Sequence, residues 1–321
     1  MRGLITLLIG VALLSACSAG DSVSALGKFA PQAKTRSSLS FKYLTVDDPV
    51  SSVNQVNGIN QAGDIVGTTG SGKASDPYQS YLAKAPYATF QDETYKGAQG
   101  TMAMNVTNVV SQTIVGGWVI NPPQLPGIWA FVQINGLWTI FRDRKGGKGS
   151  ETATEILGVN DAGFGVGYFK STYGNNVPVV INIPTETFTA LKPPGYSDAE
   201  ATGINNFGDI TGWETGSSGT IIGFFERIGK YYTFAHAKAT KTYALGINSS
   251  DQIVGNYIDP SGTSHGFILT SPKSGQKWQT IDDPDAAHGT VVTGINDDDA
   301  ICGYYVDASG VQHGFVATPT R

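Results

Sequence analysis

The chain has 321 residues and a net charge of −5, and its 21 Lys and Arg residues are scattered apart from one loop. With no basic face for a phosphate backbone, nucleic acid is excluded as an expected partner. Two cysteines and 41 glycines, roughly twice average glycine usage, predict many tight turns and no disulfide framework.

Met1 and Arg2 precede an apolar run over residues 4–14, too short to span a bilayer as a helix but suited to the central region of an export signal. Leu14-Ser15-Ala16-Cys17 follows, and it resembles the lipobox of bacterial lipoproteins, a cleavage site before a Cys that becomes the lipidated N-terminus. The resemblance implies a signal peptide over 1–16, lipidation at Cys17, and a membrane partner reached through an acyl anchor rather than a span. Ser18 at the next position implies outer-membrane sorting in a Gram-negative envelope. The competing reading is an ordinary secretory signal with an incidental Cys. Residues 17–40, rich in Ser, Ala, Gly and Lys, are expected to be a flexible tether. Once Cys17 is lipidated Cys302 has no partner, so stability must come from a core, for which about 280 residues suffice.

Beyond the tether one pattern recurs. Gly58-Ile-Asn-Gln-Ala-Gly-Asp-Ile-Val-Gly67 returns at 158–167, 203–212, 246–255 and 294–303, with a weaker copy, Thr-Asn-Val-Val-Ser-Gln-Thr-Ile-Val-Gly, at 107–116. The closing glycines, Gly67, Gly116, Gly167, Gly212, Gly255 and Gly303, are spaced as the four-stranded blades of a propeller are. Each copy reads as four short strands. The first runs into Gly-Ile-Asn, and the second has the form Ile-Val-Gly-x-Tyr, as in 253–257. After turns such as Asp259-Pro-Ser-Gly262 comes a third strand, His265-Gly-Phe-Ile-Leu269 in the fifth copy.

The fourth strand centres on a threonine: Thr45, Thr89, Thr139, Thr189, Thr233 and Thr280. Its first copy precedes the first Gly-Ile-Asn, and Thr45-Val-Asp-Asp-Pro49 matches Thr280-Ile-Asp-Asp-Pro284. The fold expected is therefore an all-β, six-bladed β-propeller over 41–318, its N-terminal strand completing the last blade. An open β-solenoid is the alternative, but it gives no reason for the phase offset. These motifs, fullest at 246–269 and 294–316, resemble the HAF-type family of probable extracellular repeats. The resemblance implies an exported, surface-associated repeat protein and assigns no activity.

The candidate sites mostly favour bland readings. His265 and His313 occupy one place in successive repeats, which points to packing or a hydrogen bond with a neighbouring turn; His236 and His288 are isolated. Asp47-Asp48 and Asp282-Asp283 precede Pro at strand ends, and Asp297-Asp298-Asp299 lacks the spacing of a calcium loop. Cys302 stands where other copies carry Val or Thr and reads as a small hydrophobe. No catalytic residue, metal site or cofactor is expected.

The second copy departs most from the pattern, with the insertion Asn121-Pro-Pro-Gln-Leu-Pro-Gly127 and three tryptophans, Trp118, Trp129 and Trp138. A basic run carrying Arg142, Arg144 and Lys145 follows. These six residues are the candidate binding set, through which an envelope protein or glycan would be recognised, weighed against a core role for the aromatics and a solvated loop for the charges. The function expected is a monomeric, non-enzymatic binding or scaffold propeller anchored at the cell envelope. The rivals are a propeller enzyme of lyase or glycosidase type acting at the central channel, and a structural spacer.

Overall fold

Short apolar and polar alternations punctuated by Asn, Asp and Gly turns fold here as strands, and no helix occurs among the described residues. The computed structural model describes residues 38–320 other than 50, 72, 74, 75, 110, 111, 143–152, 196, 197 and 217. The signal peptide and Cys17 lie outside that range.

Strand β1 is Ser40–Val46. Five groups of four follow: β2–β5 (Val53–Ile59, Ile65–Gly70, Gln79–Ala83, Phe90–Asp92), β6–β9 (Gly100–Val109, Gln112–Ile120, Ile128–Ile134, Leu137–Phe141) and β10–β13 (Thr154–Val159, Phe164–Lys170, Asn176–Asn182, Thr187–Ala190). Then come β14–β17 (Asp198–Ile204, Ile210–Thr215, Ile221–Arg227, Lys230–Phe234), β18–β21 (Lys241–Ile247, Ile253–Ile258, Ser264–Thr270, Lys277–Ile281) and finally β22–β24 (Thr290–Ile295, Ile301–Val306, Gln312–Thr320). Consecutive strands of a group pair antiparallel, and single parallel bridges, Val53 to Gln312 and Ile221 to Lys241, join two pairs of groups into eight-stranded sheets. The last group takes β1 as its outer strand, with Thr45 opposite Phe315.

That strand reproduces the role of β21 in detail. The Thr45 hydroxyl meets the Tyr305 hydroxyl at 3.2 Å, as Thr280 meets Tyr257 at 3.2 Å. His313 Nδ1 lies 2.6 Å from Asp47 and His265 Nδ1 3.0 Å from Asp282, while the other ring nitrogens face Asp307 and Asp259 in the preceding turns. Each histidine also stacks on a tyrosine, His265 on Tyr257 and His313 on Tyr305. The histidines thus fasten the third strand to the fourth and to a turn.

The first strands of the groups, β2, β6, β10, β14, β18 and β22, touch in that order, and β22 returns to β2. An apolar cluster fills each junction between neighbouring groups. The cluster between the last group and the first holds Val46, Val316 and Cys302 against Val56, Ile65 and Tyr81. Cys302 is fully buried there, and burial pushes its thiol up to about 12, so it is an unreactive hydrophobe.

The repeat motif has a steric cause. A bulge in each first strand turns one backbone carbonyl toward the second strand, where a Cβ would otherwise sit. A Cβ on Gly212, Gly255 or Gly303 would lie 1.9–2.0 Å from the carbonyl of Glu200, Tyr243 or Val291. The same test places the glycine of the second group at Gly117, where a Cβ would lie 2.0 Å from the Met102 carbonyl, and not at Gly116. The sequence register there was one residue short because Gly116 and Gly117 are adjacent and the Gly-Ile-Asn marker is missing.

The motif asparagine has two jobs. Its Oδ1 caps its own turn, as Asn248 accepts from the Ser250 and Gln252 amides at 3.0 Å. Its Nδ2 donates to the backbone carbonyl of the equivalent asparagine in the next group: Asn160 to Asn205, Asn205 to Asn248, Asn248 to Asn296, and Asn296 to Asn60 at 3.1 Å. Asn248→Ala strands buried donors and an acceptor, so it is expected to cost about 1–3 kcal/mol in chemical denaturation.

Candidate functional site

Because the frame repeats, the places where it does not repeat stand out. Opposite the residue after each closing glycine, the first strands carry Gln55, Met102, Glu155, Glu200, Tyr243 and Val291. Their partners are Thr68, Trp118, Tyr168, Trp213, Asn256 and Tyr304. The flanking glycines and apolar residues are nearly constant from group to group, whereas these twelve range from apolar to aromatic, amide and acidic.

Members of both sets, with Asn57, Thr202 and Thr293 one bulge further along, line a cavity of about 340 Å³ bounded by all six first strands. That is the size of a small-molecule site. Trp213 and Tyr243 form one wall, ring centroids 5.6 Å apart and planes 78° apart, and Tyr304 is part of the lining. Past the motif glycines, where a Cβ on Gly203 or Gly246 would lie 3.2 Å from the next group's glycine Cα, a smaller pocket of about 100 Å³ opens among the turn asparagines.

Glu200 is the one carboxylate in the lining of the larger cavity among the described residues. It accepts a hydrogen bond from Asn176 Nδ2 at 2.7 Å. Burial, then the charge of Glu155, push its carboxyl up to about 8, with Asp198 adding and Asn176 and Lys170 opposing. Burial likewise raises Glu155 to about 7 against its hydrogen bond with Tyr168 and the charge of Lys170. Both carboxyls are therefore largely neutral in the fold below pH 7, whereas the ordinary value is 4.5.

The stability these neutral carboxyls supply is complete below about pH 4.5 and is lost as pH rises through 7 to 8. His313 acts in the same sense. Burial opposes its protonation, but its hydrogen bonds and charge contacts with Asp47 and Asp307 outweigh burial and raise it. Asp259 and Asp307, held low by the Ser261 hydroxyl and the Val311 amide, titrate below this window. The melting temperature is expected to fall from pH 5 to 8.5, and the slope to flatten in Glu155→Gln/Glu200→Gln. A melting temperature that rises across that window would contradict the assignment.

The candidate set from the sequence is dispersed. Trp118 sits half-buried at the axial register, opposite Met102. Trp138 packs on Phe131 and Tyr95 against the cluster between the first two groups. Trp129 packs against the same cluster, donates Nε1–H to the Pro126 carbonyl at 3.1 Å, and carries the Arg142 guanidinium 4.1 Å above its ring. Arg144 and Lys145 lie outside the described residues. No cluster of three or more His, Cys, Asp or Glu side chains able to hold a metal occurs among the described residues. Glu200, Trp213, Tyr243 and Tyr304 were not singled out by sequence, although for Trp213 and Tyr304 the variable place after the closing glycine was the signal available.

No protein-family model and no curated protein matches the chain. Among solved structures it is similar to a protein of unknown function from Dyadobacter fermentans, with TM-score 0.55 and 10% identity over 87% of this chain and 99% of that one. AofleA from Arthrobotrys oligospora aligns with TM-score 0.51 and 12% identity over 91% and 94% of the two chains. A Trypanosoma rangeli sialidase in complex with the inhibitor DANA gives TM-score 0.50 and 9% identity over 83% of this chain, which spans 54% of the sialidase chain. At such identities the likeness concerns architecture alone, and that architecture is a β-propeller-like all-β fold.

Proposed function

We propose that the chain is an exported, lipid-anchored propeller of six four-stranded blades, closed by its N-terminal strand, which binds a small ligand in the axial cavity and catalyses nothing. The observation that carries this reading is the contrast between a constant frame and the cavity lining, where Gln55, Glu200, Tyr243 and Val291 stand at one register of the first strands and Trp213, Asn256 and Tyr304 at the matching register of the second. A spacer has no use for such variation, and a frame built for stability alone would repeat these residues as it repeats its glycines.

Closure is supported by the β1–β24 pairing, by the contact of β22 with β2, and by the hydrogen bond from Asn296 to Asn60. The envelope location and the anchor at Cys17 rest on the lipobox resemblance. An envelope glycan or protein segment bearing the ligand group is the partner this location favours.

The enzyme reading expects unlike polar groups converging unpaired at one mouth. Among the described lining residues of the larger cavity there is one carboxylate, already held by Asn176, and no histidine. Glycoside hydrolysis by paired carboxylates would need a second such group facing it across the cavity.

A thermal-shift and tryptophan-fluorescence screen of the full chain against sugars, amines and amino acids tests the reading. At least one compound should raise the melting temperature and change Trp213 emission, and Trp213→Leu should abolish the effect. A panel with no Trp213-dependent binder, or a compound consumed in stoichiometric excess, would contradict it. Cys17→Ala should move the protein from the membrane to the soluble fraction.

A further inference from the structure

Several polar groups lining the axial cavity already donate to the frame. Asn57 Nδ2 donates to the Ala103 carbonyl at 2.8 Å and to the Thr68 hydroxyl at 2.7 Å, and its buried Oδ1 has no partner. The Thr202 hydroxyl donates to the Ala244 carbonyl and the Thr293 hydroxyl to the Val56 carbonyl, each at 2.8 Å. Asn256 Nδ2 donates to the Ser264 hydroxyl, which donates onward to the Thr290 carbonyl. Each of these protons goes to the frame, so Asn57, Thr202 and Thr293 have lone pairs left for a ligand, beside the Glu200 carboxyl, the amides of Gln55 and Asn256 and the rings of Trp213, Tyr243 and Tyr304.

The charge balance runs the same way. None of the described lining residues is Lys, Arg or His. Glu200 is faced by Glu155 on β10, Asp198 on its own strand, Tyr168 on β11 and Tyr243 on β18, and by Lys170 on β11 as the cation among its charged neighbours. An anionic ligand would find no countercharge in the lining, whereas a cation would find a carboxyl able to ionise beside it and, in Asn57 Oδ1, an acceptor without a partner.

We propose that the axial cavity binds a small organic cation with a primary ammonium group, its N–H bonds directed to Glu200 and Asn57 Oδ1 and its carbon skeleton against Trp213, Tyr243 and Tyr304. The assignment rests on the axial-binding reading and gives its ligand a chemical class. Aromatic faces attract such a cation most strongly where it is desolvated. Because Glu200 is largely protonated in the empty cavity at neutral pH, binding the cation displaces a proton from Glu200 to solvent, and affinity rises with pH up to about 8.

The test compares three isosteric probes on the full chain by calorimetry and Trp213 fluorescence: cyclohexylammonium, cyclohexanol and cyclohexanecarboxylate. The amine should bind one to one, about tenfold or more tighter than either analogue at pH 8. Its affinity should increase from pH 6.5 to 8, with proton release visible as a buffer-dependent heat. Glu200→Gln should remove both the preference and the pH dependence, and Trp213→Leu, which leaves the carboxyl in place, should weaken the amine while keeping its pH dependence. Equal or tighter binding of the alcohol or the acid, or an amine affinity unmoved by Glu200→Gln in a variant that melts normally, would overturn the cation assignment and leave axial binding standing. No binding by any of the three probes also overturns it, and axial binding itself then falls only if the wider screen finds no Trp213-dependent ligand.

Discussion

Deleting Ser40–Val46 should lower the melting temperature of the full chain by about 10 °C or more. The segment supplies the whole outer strand of the last blade, and its loss exposes the edge of β24 along Gly314–Thr320. It also removes Val46, 3% exposed, from the cluster against the first blade, and Phe41 and Tyr43 from the cluster against the fifth. At roughly 1.5–3 kcal/mol for each large side chain buried, these contacts represent a large part of a marginal stability. Leu44, 49% exposed on the same strand, supplies the control: Leu44→Lys should change stability by about 0.5 kcal/mol or less. A truncated chain that melts with the intact one would mean that the last blade needs no fourth strand.

Gly255→Ala should cost about 3 kcal/mol or more in denaturant titration, an unusually large effect for one added methyl. The methyl would lie 1.9 Å from the Tyr243 carbonyl oxygen, a backbone atom fixed by the bulge between Ala244 and Gly246. Neither strand can retreat, because β18 packs on β14 and β22 while β19 is paired on both sides. Gly116→Ala in the second blade probes the corrected register. Its Cβ would meet the Val159 side chain at 2.6 Å and no carbonyl, so it should cost less than Gly117→Ala. Equal costs at Gly116 and Gly117 would contradict the assignment of Gly117 as the closing glycine.

The frame was legible in the sequence because its demands are steric and repeat with the blade. A carbonyl occupying the space of a Cβ allows only glycine, and an asparagine that must cap its turn and reach the next blade cannot be longer or lose its amide. The phase offset of Thr45 against Thr280 likewise anticipated the partner of β24. The lining of the cavity was not legible by the same route, since a search for recurrence passes over positions that vary. Trp213 and Tyr304 each follow a closing glycine in a place read only as a variable letter. Glu200 gave no signal of its own, because its environment is made by Glu155 and Asn176 from another blade. The tryptophans of the second blade drew notice by number, yet two of the three pack against the junction with the first blade.

The cavity exists only if the two ends of the repeat array meet, and cross-linking measures that meeting directly. Lys42 and Thr318 are exposed partners on β1 and β24, opposite one another in the antiparallel ladder, where paired Cα atoms lie within disulfide reach. In a Cys17→Ser chain carrying Lys42→Cys and Thr318→Cys, the buried Cys302 thiol stays out of the reaction. Mild oxidation should give a single intramolecular disulfide that migrates as a compact monomer and melts higher than its reduced form. Free thiols after oxidation of the folded chain, or cross-links formed only between molecules, would contradict the closed ring and the axial site with it.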